Sequence, residues 1–147
     1  MKQLLIAIFI ATLSLSSFGQ DRGLGVGVIL GEPTGLSAKM WTGDNTAIDA
    51  AAAWSLAGDP SIHVHADILL HSYAIDVDEG ELPLYFGIGG RVLISDDPGI
   101  GVRVPFGMAY HFEDVPIELF LEVAPILDLL PATAFNMNSG LGVRYYF

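Results

Sequence analysis

The chain has 147 residues, 52% of them hydrophobic, no cysteine and a formal net charge of −11. That length supports one domain, no disulfide can staple it, and its acidity offers no basic patch to phosphates, which argues against nucleic acid as a partner. No apolar run reaches the ~20 residues a spanning helix needs, which argues against a helical membrane protein.

Residues 1–19 read as a secretory signal peptide. Lys2 supplies the positive start, Leu4 to Leu13 the apolar run, and Ser17 and Gly19 the small residues at −3 and −1 of a cut before Gln20. Removing the leader leaves residues 20–147 as one domain with 5 bases and 17 acids, a net charge of −12. No cysteine follows the cut, so no lipid-anchored form is expected.

Turn signals then recur at short intervals: Gly31-Glu32-Pro33-Thr34, Thr42-Gly43-Asp44-Asn45, Gly58-Asp59-Pro60, Asp76 to Glu81, Asp96-Asp97-Pro98-Gly99 and Glu113-Asp114-Val115-Pro116. Between them the sequence predicts strands over 23–30, 35–41, 46–56, 61–73, 82–95, 100–112, 117–124 and 134–147. Eight short strands with hairpin-length links predict an antiparallel meander.

Alternation assigns a face to each strand. Leu24, Val26, Val28 and Leu30 oppose Gly25 and Gly27; Leu36, Ala38 and Met40 oppose Ser37 and Lys39. Ile48, Ala50, Ala52 and Trp54 oppose Asp49 and Ser55, and Ile62, Val64, Ala66, Ile68 and Leu70 oppose His63, His65, Asp67 and His71. Leu84, Phe86, Ile88 and Val92 oppose Tyr85, Gly87, Gly89 and Arg91. Val102, Val104, Phe106 and Met108 oppose Gly101, Arg103 and Gly107. In the last two strands parity switches: Ile117, Leu119, Leu121 and Val123 oppose Glu118 and Glu122, while Leu141, Val143, Tyr145 and Phe147 oppose Gly140, Gly142 and Arg144. No charged residue or histidine falls on the apolar set. The polar set is too small and too rich in glycine for a solvated outer face, so the apolar set is expected to point outward, toward lipid, and the polar set inward.

The inward set holds Lys39, Arg91, Arg103 and Arg144 against Asp49, Asp67, Glu118 and Glu122, four bases and four acids. A neutral, self-paired interior is expected, because an unpaired buried charge is costly. Phe86, Tyr110, Phe112, Tyr145 and Phe147 are expected to form a lipid-facing aromatic girdle at the periplasmic rim, with Trp54 the clearest member of a thinner opposite girdle. Pro105 and Pro125 lack ladder donors and are brought together by a hairpin near Asp114 and Val115, which predicts a bulge or kink. The run Pro125 to Pro131 is expected to be a bent strand end and an outer loop.

The ending Gly140-Leu-Gly-Val-Arg-Tyr-Tyr-Phe147 resembles the C-terminal signature of bacterial outer-membrane β-barrels. The architecture is similar to the OmpA membrane domain and OmpX. Gly31 to Ser37, Leu82 to Arg91 and Gly101 to Gly107 resemble a family of small bacterial barrel proteins. The resemblance implies an all-β, eight-stranded, up-and-down transmembrane barrel in the outer membrane with both termini periplasmic. It also implies outer-membrane lipid as surroundings, and recognition of the last strand by the barrel-assembly machinery.

The sequence offers little catalytic chemistry. His63 and His65 share a face with Asp67 and are weak metal candidates, since spacing fixes no further ligand. Glu118 and Glu122 lie ~13 Å apart along a strand, long for a retaining carboxylate pair, and are better placed to clamp Arg103 and Arg144. Ser72 and Ser139 are the polar residues on the outward face, and neither has a histidine beside it there. No enzyme, cofactor or metal is expected. The reading is a plugged, monomeric barrel with a structural or envelope-maintenance role; the alternatives are a narrow pore or small-ligand barrel, and thirdly a lipid-modifying enzyme.

Overall fold

The structure, a computed structural model, describes residues 23–55 and 60–147. The leader with its cut before Gln20, Arg22, Leu56 and the Gly58-Asp59 turn signal lie outside the described residues. Nine strands follow one another: β1 (Leu24–Glu32), β2 (Thr34–Trp41), β3 (Thr46–Ser55), β4 (Ser61–Ser72), β5 (Leu84–Ile94), β6 (Gly99–Arg103), β7 (Phe106–His111), β8 (Ile117–Leu130) and β9 (Ala134–Tyr146). There is no helix among the described residues.

All pairings are antiparallel. β1 to β5 pair in sequence, β8 pairs β9, and β9 returns to β1 with Gly25 opposite Tyr146 and Glu32 opposite Ser139. β6 and β7 succeed one another along the same track, each lying between β5 and β8. Nine segments therefore make a closed ring of eight strands, the sixth of which is broken.

The break has the cause that the sequence predicts. β6 stops at Arg103 and β7 resumes at Phe106, so the single strand expected over 100–112 is corrected to two. Pro105 has no N–H to give the ladder. Around it Gly87 N donates to the Pro105 carbonyl, and Val104 N donates to the Pro125 carbonyl, both at 3.0 Å. A second correction concerns residues 125–131: β8 continues to Leu130 instead of ending in a loop. Pro125 is accommodated opposite Met137. The ladder between β6 and β8 shifts register between Ile100 and Gly101, because Leu129 is an extra residue.

Register carries the alternation around the ring. Met40, Ile48, Ile68 and Ile88 are neighbours in one outward row, and Lys39, Asp49, Asp67, Gly89 and Arg103 in one inward row. Ile68 and Ile88 are 60% and 59% exposed, whereas Lys39 and Arg103 are buried. The inward glycines make room for large neighbours. A Cβ at Gly107 would enter the ring of Tyr85, one at Gly25 the ring of Tyr146, and one at Gly142 the ring of Phe120. Leu69, Tyr85, Ala109 and Phe120 form a small apolar cluster inside, against which Ile29 packs. The inner face is thus mixed rather than wholly polar.

Candidate functional site

The interior of the ring is the most chemically dense part of the molecule. Alternation sends every second residue of each strand inward, and the register sets them side by side. Near the end that holds Leu24 and Phe147, Glu118 is the hub. Its Oε1 accepts from Arg144 Nη1 at 2.5 Å. Its Oε2 accepts from Lys39 Nζ at 3.1 Å and the Tyr146 hydroxyl at 3.1 Å, and lies 2.6 Å from His111 Nε2. Lys39 Nζ also donates to His71 Nε2 at 2.8 Å; the proton of neutral His71 then sits on Nδ1, which faces the Asn45 carbonyl at 3.3 Å. Trp41 packs against His71 with centroids 4.4 Å apart and ring planes tilted by 45°, and Lys39 Nζ lies 4.6 Å from the Trp41 centroid. A recess of about 350 Å³ opens at this end, lined in part by Trp41, Glu81, His111, Phe112 and Tyr146.

In the middle, Arg144 caps Phe120, its Cζ 3.8 Å from the ring centroid, and Arg144 Nε donates to Ser37 Oγ at 3.0 Å. Arg144 Nη2 reaches Asp49 Oδ2 at 3.4 Å. Arg103 Nη2 donates to Glu122 Oε1 at 2.5 Å, and Tyr85 donates to Glu122 Oε2 at 2.8 Å. Arg103 also meets His65 Nδ1 through Nη1, and its Nε lies 3.0 Å from Asp67 Oδ1.

Toward the opposite end, Arg91 grips Asp128 with two contacts, Nε to Oδ1 at 3.2 Å and Nη2 to Oδ2 at 2.6 Å. Arg91 Nη1 reaches His63 Nδ1 at 3.3 Å, His63 Nε2 lies 3.1 Å from Ser61 Oγ, and Ser55 meets Glu32.

All eight charged residues expected inside are buried: Lys39, Asp49, Asp67, Arg91, Arg103, Glu118, Glu122 and Arg144. The expectation of neutrality needs correction. Asp128 is a fifth buried acid, so the buried described residues hold five carboxylates against four bases. Asp128 lies in the segment expected to be a loop. Carrying the parity of Glu118 and Glu122 through Ala124 and Ile126 would have found it. Trp41 and Phe120 were also legible only by extending the parity of their strands, since aromatic character pointed the other way.

Of the expected aromatic girdle, Phe86, Phe112, Tyr145 and Phe147 are exposed on the outer surface. Tyr110 and Phe112 meet edge to face at 4.8 Å, as do Tyr145 and Phe147 at 5.2 Å. Tyr110 differs from expectation: it is half-buried, and its hydroxyl donates to the Glu79 carbonyl at 2.8 Å. Phe135, at 68% the most exposed large apolar side chain among the described residues, lies at the same opposite rim as Trp54.

His63 and His65 both face inward, each against an arginine. His65 comes together with Asp67 and with Asp49 from the neighbouring strand, their ligand atoms all within 4.8 Å of one another. Asp49 is the further ligand type that spacing along one strand could not supply, because it comes from β3. No family model, no curated protein and no solved structure matches the chain.

Proposed function

We propose that this chain is an integral protein of a bacterial outer membrane. In this reading it is an eight-stranded transmembrane β-barrel whose outer face meets lipid and whose interior is filled by its own ion pairs. Its role is structural, in maintaining the envelope. The observation that carries the reading is the inverted polarity of the ring. Leu30, Leu36, Ile68, Ile88, Leu121 and Leu141 are each more than half exposed, while Lys39, Arg103 and Arg144 are at most 2% exposed. In water this would leave an apolar surface around the whole ring, far larger than monomeric soluble proteins tolerate. In a bilayer the same surface is solvated by lipid and the closed backbone has no unpaired ring edge to satisfy.

Further features support it. Strands of 8 to 14 residues on the unbroken tracks bracket the ~9–11 needed to cross hydrocarbon at a tilt. Phe147 N donates to the Leu24 carbonyl at 3.0 Å, so both ends of the described chain lie together at the rim carrying the aromatic pairs. That rim is the periplasmic one in this reading, and the Phe147 ending is the feature the assembly machinery would recognise. An interior crossed by Arg103, Arg144 and Lys39, with Tyr85 and Phe120 between them, favours a plug over a pore.

The test is reconstitution. The mature chain should fold in detergent or vesicles, show heat-modifiable gel mobility and give no steady openings in a planar bilayer. Steady openings would move the reading to a narrow pore, and a water-soluble periplasmic protein would overturn it.

A further inference from the structure

Asp49 and Asp67 stand directly opposite each other on β3 and β4, pointing inward. They are 3% and 2% exposed. Two like charges in register are mutually unfavourable, and burial makes them more so. One oxygen of each is near a guanidinium: Asp67 Oδ1 lies 3.0 Å from Arg103 Nε, and Asp49 Oδ2 accepts from Arg144 Nη2 at 3.4 Å. Asp49 Oδ1, both oxygens of Asp67 and Arg103 Nε have no hydrogen-bond partner although all are buried. Buried carboxylate oxygens are normally satisfied, so three orphans at one place point to a missing cation.

We propose that Asp49, Asp67 and His65 form a binding site for one divalent transition-metal ion on the inner wall of the ring. His65 precedes Asp67 by two residues on the same face, and the ligand atoms of all three residues lie within 4.8 Å of one another. Donors ~2.0–2.2 Å from one tetrahedral ion are ~3.3–3.6 Å apart, so the three side chains must close on the ion by up to ~1.5 Å. Two carboxylate oxygens and an imidazole nitrogen are a ligand set for zinc or a neighbouring transition metal. Arg103 and Arg144, on the far oxygens, are positioned to orient the ligands as outer partners do in metal sites. Arg103 Nη1 meets His65 Nδ1, so ion entry displaces that contact while Glu122 and Asp67 keep the guanidinium in place.

Counted formally, five buried acids and four buried bases leave one negative charge. A bound cation offsets that charge, as would a proton shared by Asp49 and Asp67, and retained metal separates the two. A hollow of about 20 Å³, lined by Ala51, Ala53, His65, Arg103 and Glu122 among others, adjoins the site and has room for a single water-sized ligand.

The experiment uses the full mature chain without a polyhistidine tag, equilibrated with zinc and then dialysed, with retained metal measured per mole of protein. Folding is monitored separately by heat-modifiable mobility, so loss of the membrane reading is distinguishable from loss of the site; a chain that folds in water is titrated there. Expected are one retained zinc per chain and a denaturation midpoint raised by zinc. Asp49→Asn should abolish retention, His65→Gln should weaken binding at least tenfold, and His63→Gln should leave it unchanged. A folded protein that retains no zinc overturns the proposal and assigns the pair a shared proton instead. So does zinc retention that survives both Asp49→Asn and Asp67→Asn in folded variants.

Discussion

Arg103 is the last residue of β6, and Glu122 sits opposite Gly107 of β7, so their 2.5 Å ion pair spans the gap that Val104 and Pro105 leave in the ladder. There the wall lacks the Pro105 donor, although Val104 N and the Pro105 carbonyl keep backbone bonds, and it is tied on its inner face at the same height. Tyr85, from the strand on the other side of the break, donates to the same carboxylate at 2.8 Å. Three tracks of the ring therefore converge on Glu122.

Removing the guanidinium should loosen this junction. Arg103→Leu leaves Glu122 and Asp67 buried without their cation, a change of the kind that costs about 3–5 kcal/mol. Arg91→Leu should cost less, because its partner Asp128 lies near an open end with its side chain 12% exposed and keeps Asn136 as a donor. Urea unfolding midpoints of the two variants, measured in the same lipid or detergent, check the order. Equal midpoints for Arg103→Leu and the parent would remove the interior network as a source of stability.

The inward and outward glycines should respond differently to a single methyl group. A Cβ at Gly27 would run into the Val143 carbonyl and the Arg144 backbone, which have no rotamer to escape by, whereas one at Gly90 meets only the Gly101 carbonyl at 3.7 Å. Gly27→Ala should destabilise by about 1–3 kcal/mol, as overpacking does. Gly90→Ala should stay within about 0.5 kcal/mol of the parent. Paired denaturation curves decide it, and a neutral Gly27→Ala would mean that β1 and β9 can separate locally at no cost.

Period-two patterning made the strands and their two faces legible in the sequence. Each predicted strand has its counterpart, and the faces of Ile48, His63, Arg91 and Glu118 are where alternation puts them. What stayed illegible has a common cause, which is that pairing partners are set by three-dimensional register and not by spacing along one strand. Asp49 reaches Asp67 and His65 only because β3 and β4 align Asp49 with Asp67. Asp128 was hidden by Pro125, whose usual meaning as a strand breaker is overridden where β8 finds partners in both β6 and β9, while Pro131 lies just past the end of the strand. Phe120 shares the inward parity of Glu118 and Glu122, but that Arg144 lies over its ring follows only from the pairing of β8 with β9.

The C-terminal residue should matter for assembly more than for stability. Phe147 is 56% exposed and its described ring contact is Tyr145. Phe147→Ala should therefore leave the unfolding midpoint of refolded protein nearly unchanged, within about 0.5 kcal/mol. In cells the same variant should show a reduced folded fraction in the outer membrane, read from heat-modifiable mobility of the membrane pellet. An unchanged folded fraction would separate the ending from the assembly machinery.

The sharpest check of the lipid-facing assignment is a charge placed on the outer surface at two depths. Ile88 lies at the centre of β5 and pairs with Ile68, which is equally exposed; Leu30 lies near the end of β1 away from the termini and is 63% exposed. On a water-facing surface, Ile88→Arg and Leu30→Arg would each be nearly neutral, since neither side chain is buried by protein. On a lipid-facing surface the penalty follows depth, about 2–4 kcal/mol at the midplane and about 0–1 kcal/mol near the interface. Reversible unfolding from vesicles should place Ile88→Arg well below the parent and Leu30→Arg close to it. Two equal, small effects would mean that the apolar rows around Ile68 and Ile88 face something other than a bilayer.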